Sequence, residues 1–162
     1  MNILKYPHPI LRQIAKPVEA FDDALALLAD EMLKAMYGMN ALGLSGPQVG
    51  QSICLIVIDV SAESDGPLVL VNPTIDQHDE SKQSFEEGCL SFPGLYQRVT
   101  SFKNITVSYQ DVKGEKLVLY ADGLKAVAIQ HEIDHLKGVL FIDRMTQKIR
   151  NKVKVKAFKG TK

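Results

Sequence analysis

Between residues 52 and 120 the chain holds six β-type segments in succession, with a helical pattern before them and another after them and no helix among them. Strands that do not alternate with helices argue against a doubly wound parallel sheet, so the pattern predicts an α+β fold with antiparallel or mixed sheets. The segments 52–60 and 67–73 are dense in Val, Ile and Leu and read as buried strands, with Ser61 to Gly66 as the turn between them. Residues 83–92, 96–100, 104–111 and 115–120 read as further strands, the last two closed into a hairpin by Val112, Lys113 and Gly114. Before them, Leu25, Leu28, Ala29, Met32 and Met36 recur at three- and four-residue spacing. That spacing predicts an N-terminal amphipathic helix over 22–37, with Asp22 or Asp23 as N-cap. The stretch 38–50, with four glycines and a proline, reads as a loop, and the prolines of 5–12 predict an extended run before a short helical turn. The second helix is expected over 122–137, with Gly138 just past its end.

At 162 residues and 46% hydrophobic content, the chain has the size of one domain. The longest apolar run, 53–58, is far short of the ~20 residues of a membrane span. Residues 1–6 have neither the character of a signal sequence nor that of a transit peptide, so the reading is cytoplasmic, with no membrane or DNA partner expected. The net charge of zero conceals an asymmetry. Eight of the 19 basic residues and none of the 19 acidic ones lie in 144–162, which leaves the body at −8 and gives the tail an affinity for polyanions. The tail fits a helical face through Ile149, Val153 and Ala157, but the alternation over 152–156 fits a strand equally.

Within the second helix lies Gln130-His-Glu-Ile-Asp-His135, an HExxH motif. Four residues are slightly more than one helical turn, so His131 and His135 share a face and can grip one ion, while Glu132 can reach a water bound to it. Leu124, Val127, Ala128, His131 and His135 form one stripe, which makes both imidazoles part of the buried face and in need of a partner. A catalytic site of this kind takes three protein ligands and keeps a position open. No His or Glu follows His135, so the third ligand has to come from Asp143 or from the upstream set His8, His78, Glu86, Glu87 and Cys89. Cys89 stands out, because Gly88 lets the backbone come close and a thiolate with two imidazoles suits Zn²⁺ or Fe²⁺. Cys54, inside an Ile/Leu/Val run, reads as core. Glu132 is placed to act as a base, and Gln48 offers a neutral amide for an oxyanion.

Gly43-Leu-Ser-Gly-Pro-Gln48, Glu87-Gly-Cys-Leu-Ser91 and Gln130-His-Glu-Ile-Asp-His135, in this order, resemble the three signature motifs of peptide deformylases, and residues 6–12 resemble the family's opening. The first motif departs from Gly-x-Gly-x-Ala-Ala-x-Gln, with Ala41 at the first glycine and Ser45-Gly46 in place of the paired alanines. Where many members have Val-Pro-Arg, this chain has Val99-Thr-Ser101, which leaves Glu87 in want of a partner, with Arg98 the candidate.

The resemblance implies removal of the formyl group from the formyl-methionine end of nascent chains. It implies Cys89, His131 and His135 as ligands of one divalent ion, Fe²⁺ in the cell, with Zn²⁺, Ni²⁺ or Co²⁺ able to replace it. Glu132 would be base and then acid, and Gln48 with the Leu90 N–H would hold the oxyanion. Leu42, Phe85, Leu124, Val127 and Ala128 would line the methionine pocket, and the Gly43 backbone would pair with the substrate. On this reading 1–145 is the catalytic body and 146–162 a basic C-terminal tail of the same domain, a candidate for ribosome docking. Two competing readings are a zincin-type metallopeptidase and a non-catalytic metal- or RNA-binding module.

Overall fold

The computed structural model describes residues 1–64 and 66–159. Of the basic tail, Lys162 lies outside the described residues, as do the side chains of Lys154, Lys156 and Lys159. The fold is mixed α+β, with three α-helices among the described residues: α1 (Asp23–Gly38), α2 (Gly123–Leu136) and α3 (Gln147–Lys159). The strands are β1 (Gly43–Ser45), β2 (Leu55–Ile58), β3 (Leu68–His78), β4 (Lys82–Gly88), β5 (Tyr96–Phe102), β6 (Asn104–Gln110) and β7 (Lys116–Asp122). Five of them form an antiparallel sheet in the order β1-β2-β3-β6-β7, and β4 pairs with β5 as a separate ribbon.

Strand β2 shows how the layers assemble. All four of its residues are buried, and because side chains alternate across a strand, its two faces serve two cores. Leu55 and Val57 join the cluster built by Leu25, Ala29, Met32 and Met36 of α1. Ile56 and Ile58 join the opposite cluster, built with Ala126, Ile129, Ile133 and Leu136 of α2. The sheet is therefore a partition between α1 and α2. Helix α1 starts where expected, with Asp22 Oδ1 accepting the Leu25 N–H at 3.0 Å. A third cluster, around Leu11, Phe92, Val99 and Phe141, receives Ile149 and Val153 of α3. The tail is thus helical over Gln147–Lys159, and part of it is anchored to the body.

Several boundaries differ from the sequence expectations. The 38–50 loop contains β1 and a 3-10 turn, Gly46–Val49. Strand β3 continues past Pro73 to His78, because the proline falls at a register shift between Val71 and Thr74, where no ladder donor is lost. Asn72, at φ 51°, bonds both polar groups of Val18 across that bulge. The strand expected over 83–92 ends at Gly88, which leaves Cys89 and Leu90 in a turn. Helix α2 is buried on nearly all sides from Ala126 to Leu136, where a single stripe was expected, and Leu124 at its start is 38% exposed.

Candidate active site

Three side chains from two distant segments converge beside α2. Cys89 follows the end of β4, and His131 and His135 lie one turn apart on α2. Their donor atoms all lie within 4.8 Å of one another, with Cys89 Sγ 3.3 Å from His135 Nε2. Glu87, two residues before Cys89, places Oε2 at 2.8 Å from His131 Nδ1. That bond leaves His131 Nε2 as the atom for an ion, the usual way a carboxylate orients a ligating imidazole.

The charge balance of the cluster suits a cation. Burial works against a proton on His131, but the hydrogen bonds of Cys89 and Glu87 outweigh it and hold the imidazole well above its ordinary pKa. Burial and the positive His131 hold His135 well below its own. Positive charge is favoured between these donors and excluded from the neighbouring ring.

Glu132 is buried between His131 and the sheet, and burial pushes its carboxyl up to about 7, with the His131 charge and the Ser45 hydroxyl pulling the other way. Its Oε2 has no hydrogen-bond partner among the described residues, an expensive condition for a buried carboxylate oxygen that a water held at the cluster would relieve. Gly43 on β1 makes room for it: a Cβ at residue 43 would lie 2.7 Å from Glu132 Oε1.

Gln48 is fixed by the turn that carries it. Its Oε1 accepts from both the N–H and the Oγ of Ser45, at 3.0 and 2.9 Å. Its Nε2 is thereby turned toward Ser91 Oγ at 3.3 Å and Cys89 Sγ at 3.5 Å. The donor end of the amide faces the cluster because the acceptor end is already occupied.

A cavity of about 500 Å³ opens onto this arrangement. Its wall includes Gln48, Cys89, Leu90, His131 and Glu132, and also Leu42, Gly43, Phe85, Leu124, Val127 and Ala128. His135 completes the ligand triangle from behind. The other candidates for third ligand lie elsewhere or are engaged. His8 caps a short helical turn through Ile10, His78 stacks on Phe102, Glu86 is exposed, and Asp143 pairs with Arg12 and caps the Leu140 N–H. Arg98 is not the partner of Glu87. It stands opposite Glu86 on the exposed face of the ribbon, and His131 takes the Glu87 carboxylate.

Sequence reading missed Ser45 and Ser91, which orient Gln48, and Lys5, whose Nζ holds the Leu90 carbonyl at 2.7 Å. The Ser45-x-x-Gln48 spacing is that of a capping box and was the available signal. Ser91 and Lys5 had none, since their contacts are made only by the fold.

A family model described as polypeptide deformylase matches residues 1–151. The peptide deformylase of Chromobacterium violaceum is 44% identical over 162 residues, covering 100% of this chain and 96% of that protein. That of Brucella suis biovar 1 is 44% identical over 155 residues, 94% of this chain and 88% of that one. Among solved structures, Arabidopsis thaliana peptide deformylase 1B in complex with an inhibitor superposes at a TM-score of 0.91 and 39% identity, over 98% of this chain and 91% of that one. The peptide deformylase from Legionella pneumophila gives 0.90 and 39% over 99% and 98%.

Proposed function

The chain belongs to the polypeptide deformylase family, and on that premise we propose that Cys89, His131 and His135 hold its ion while Glu132, Gln48 and Leu90 carry the chemistry. The protein is a metal-dependent hydrolase that removes the N-formyl group from newly made peptides. The observation that carries the assignment of residues is the ligand triangle itself, set at the wall of a cavity beside a buried carboxylate and an oriented amide.

The ion, when bound, supplies Lewis-acid polarisation and lowers the pKa of water. Glu132 takes a proton from the attacking water, for which a carboxyl poised near neutrality is well matched. The oxygen adds to the formyl carbon, and the carbonyl oxygen gains negative charge within reach of Gln48 Nε2 and the Leu90 N–H. Glu132 then returns the proton to the leaving nitrogen as the C–N bond breaks, yielding formate and a free amino terminus. The methionine side chain enters between Leu42, Phe85, Leu124, Val127 and Ala128, an apolar wall suited to an unbranched thioether. Among the described residues strand β1 pairs only with β2, so the open edge at Gly43 is available to the peptide backbone.

The sulfur and nitrogen donors suit Fe²⁺ in the cell, with Zn²⁺, Ni²⁺ or Co²⁺ as replacements. Residues 1–145 carry the catalysis. The tail 146–162 offers exposed Lys148 and Lys152 to ribosomal RNA phosphates, whereas Arg144 and Arg150 are committed to Asp134 and to backbone carbonyls. Nascent chains as substrate support a cytoplasmic setting, and no helix among the described residues is long and apolar enough to cross a membrane. Reversing the charge of Lys148 and Lys152 is expected to weaken ribosome binding and flatten its salt dependence, with formate release from a short peptide unchanged. Equal binding by the variant would remove the docking role.

The decisive experiment loads the protein with Fe²⁺ or Ni²⁺ without oxygen and measures formate released from a formyl-Met tripeptide. Formate in step with metal content is the expected result. Cleavage of internal peptide bonds without formate would overturn the assignment.

A further inference from the structure

A second cavity, of about 10 Å³, also touches His131. That is the space of a single water. Besides His131, its polar wall is made by Glu87, Ser101, Gln130, Asp134 and Arg144, and the Gln130 amide is already engaged by Phe102 and Ala126. Ser101 Oγ is buried there with no partner among the described residues, a hydroxyl that a water in the cavity would satisfy. Arg144 arrives from the 3-10 turn Phe141–Arg144, ten residues beyond Asp134 and remote in sequence from Glu87. It grips Asp134 with two nitrogens, Nε to Oδ2 at 2.6 Å and Nη2 to Oδ1 at 2.8 Å, which leaves Nη1 for another acceptor. The Glu87 side chain is 9% exposed and the His131 side chain it bonds is 10% exposed, so this carboxylate has little water to balance its charge.

We propose that Arg144 is a positioning residue for the metal ligand His131. Clamped by Asp134 and linked through one water on Ser101 Oγ, it balances the Glu87 carboxylate and keeps that carboxylate turned onto His131 Nδ1. Two facts support the direction of the effect. The Glu87 charge adds to that of Asp134 in holding the Arg144 guanidinium protonated, so the two groups sense each other across the cavity. Apart from His131 itself, no other basic residue lines the cavity among the described residues. Arg98 pairs with Glu86 on the exposed face of the ribbon, and the residue paired with Glu87 is Gln97.

The inference rests on His131 being a ligand, and the test separates the two. Co²⁺ affinity is measured by competition with a chelator, together with the cobalt visible spectrum, for the full chain and for His131→Ala, Arg144→Gln, Arg144→Lys and Arg12→Gln. Arg144→Gln is expected to weaken Co²⁺ binding by about 10- to 100-fold and to alter the spectrum, the range found for outer partners of metal ligands. Arg144→Lys keeps the charge without the fork, so its loss should be smaller, and it serves in place of the Gln variant if that one does not fold. Arg12→Gln breaks the ion pair to Asp143 in the same turn and should lower the melting temperature without changing Co²⁺ affinity. Wild-type affinity in Arg144→Gln, or in Arg144→Lys where only that variant folds, would overturn the proposal. So would an equal loss in Arg12→Gln, which would mean that loosening the turn is enough. Unchanged affinity in His131→Ala would instead overturn the ligand assignment on which the proposal stands.

Discussion

Helices α1 and α2 flank the same sheet and are held by opposite rules. Helix α1 fully buries one stripe, Leu25, Ala29, Met32 and Met36, flanks it with partly buried Leu28, Leu33, Ala35 and Tyr37, and shows its opposite face to water. Helix α2 is buried almost all round and carries Gln130, Glu132 and His135 inside. A stripe of apolar side chains needs only a complementary surface. A buried polar side chain needs a specific partner, and α2 differs along its length in whether it has one. Gln130 is satisfied, with Oε1 accepting the Phe102 N–H at 3.0 Å and Nε2 donating to the carbonyls of Phe102 and Ala126. Glu132 Oε2 and His135 Nδ1 are buried without hydrogen-bond partners among the described residues. The first half-turn of polar residues is structure, and the next is a site held ready for ligands at a cost in stability.

That contrast predicts which substitutions affect chemistry and which affect folding. Glu132→Ala should lower kcat by at least ~10²-fold while metal content persists and the melting temperature holds or rises, since a buried carboxylate with an orphan oxygen is removed. In the unsubstituted enzyme the protonated carboxyl cannot accept a proton, so kcat/KM should fall about tenfold per pH unit on the acid side. Glu132 stands at about 7 without an ion, and a divalent charge at the cluster, in place of the His131 proton, favours the carboxylate, so this limb should lie below about 7 in loaded enzyme. A retained kcat in Glu132→Ala, or a pH profile flat down to 4, would erase the distinction between the helices.

Met32→Ala, on the fully buried stripe of α1, should cost about 2–5 kcal/mol in chemical denaturation and leave kcat of the folded enzyme unchanged. A fall in kcat in parallel with stability would show that α1 is coupled to the site after all. Gln130→Leu strands the Phe102 N–H and carbonyl on β5 and should cost about 1–3 kcal/mol, with Co²⁺ affinity unchanged. The smallest effect is expected beyond the end of α2, at the ion pair of Arg12 with Asp143, both partly exposed. Burial opposes the Asp143 charge, but Arg12 and the Leu140 N–H hold its pKa below the ordinary carboxylate value. The contribution, about 0–1 kcal/mol, is therefore present above that ordinary value and is lost as the pH falls through the folded one. Denaturation of Arg12→Gln compared with wild type at pH 7 and pH 3 would reveal it as a difference that shrinks in acid.

Elements set by local periodicity could be read directly from the chain. Helix α1 follows from spacing alone, with Asp22 one of two candidate caps, as does the pairing of His131 with His135 on one helical face. Strand β1 could not be read this way. It is three residues long, begins with glycine and exists only because Ile58, Val57 and Ile56 pair with it. The far half of β3 was hidden by Pro73, which is tolerated at a bulge that only the fold reveals. In the site, Cys89 was legible by donor chemistry, but the partner of Glu87 was not. Arg98 is a near neighbour in sequence, whereas His131 lies 44 residues away and is brought there by β4 crossing α2. Local spacing reports which atoms share an element, and long-range contacts decide which of them meet.

The missing side chain at residue 43 also limits what mutation can do to the cavity wall. Any larger residue there would press on the Glu132 carboxylate, 2.7 Å from where its first carbon would sit. An inhibitor that closes against this strand through backbone contacts would lean on a surface that the enzyme cannot remodel by substitution without displacing its own base. Resistance to such a compound would have to arise elsewhere on the rim, at exposed positions such as Leu42, Tyr96 or Leu124, where side chains can change and the proton-transfer geometry stays intact.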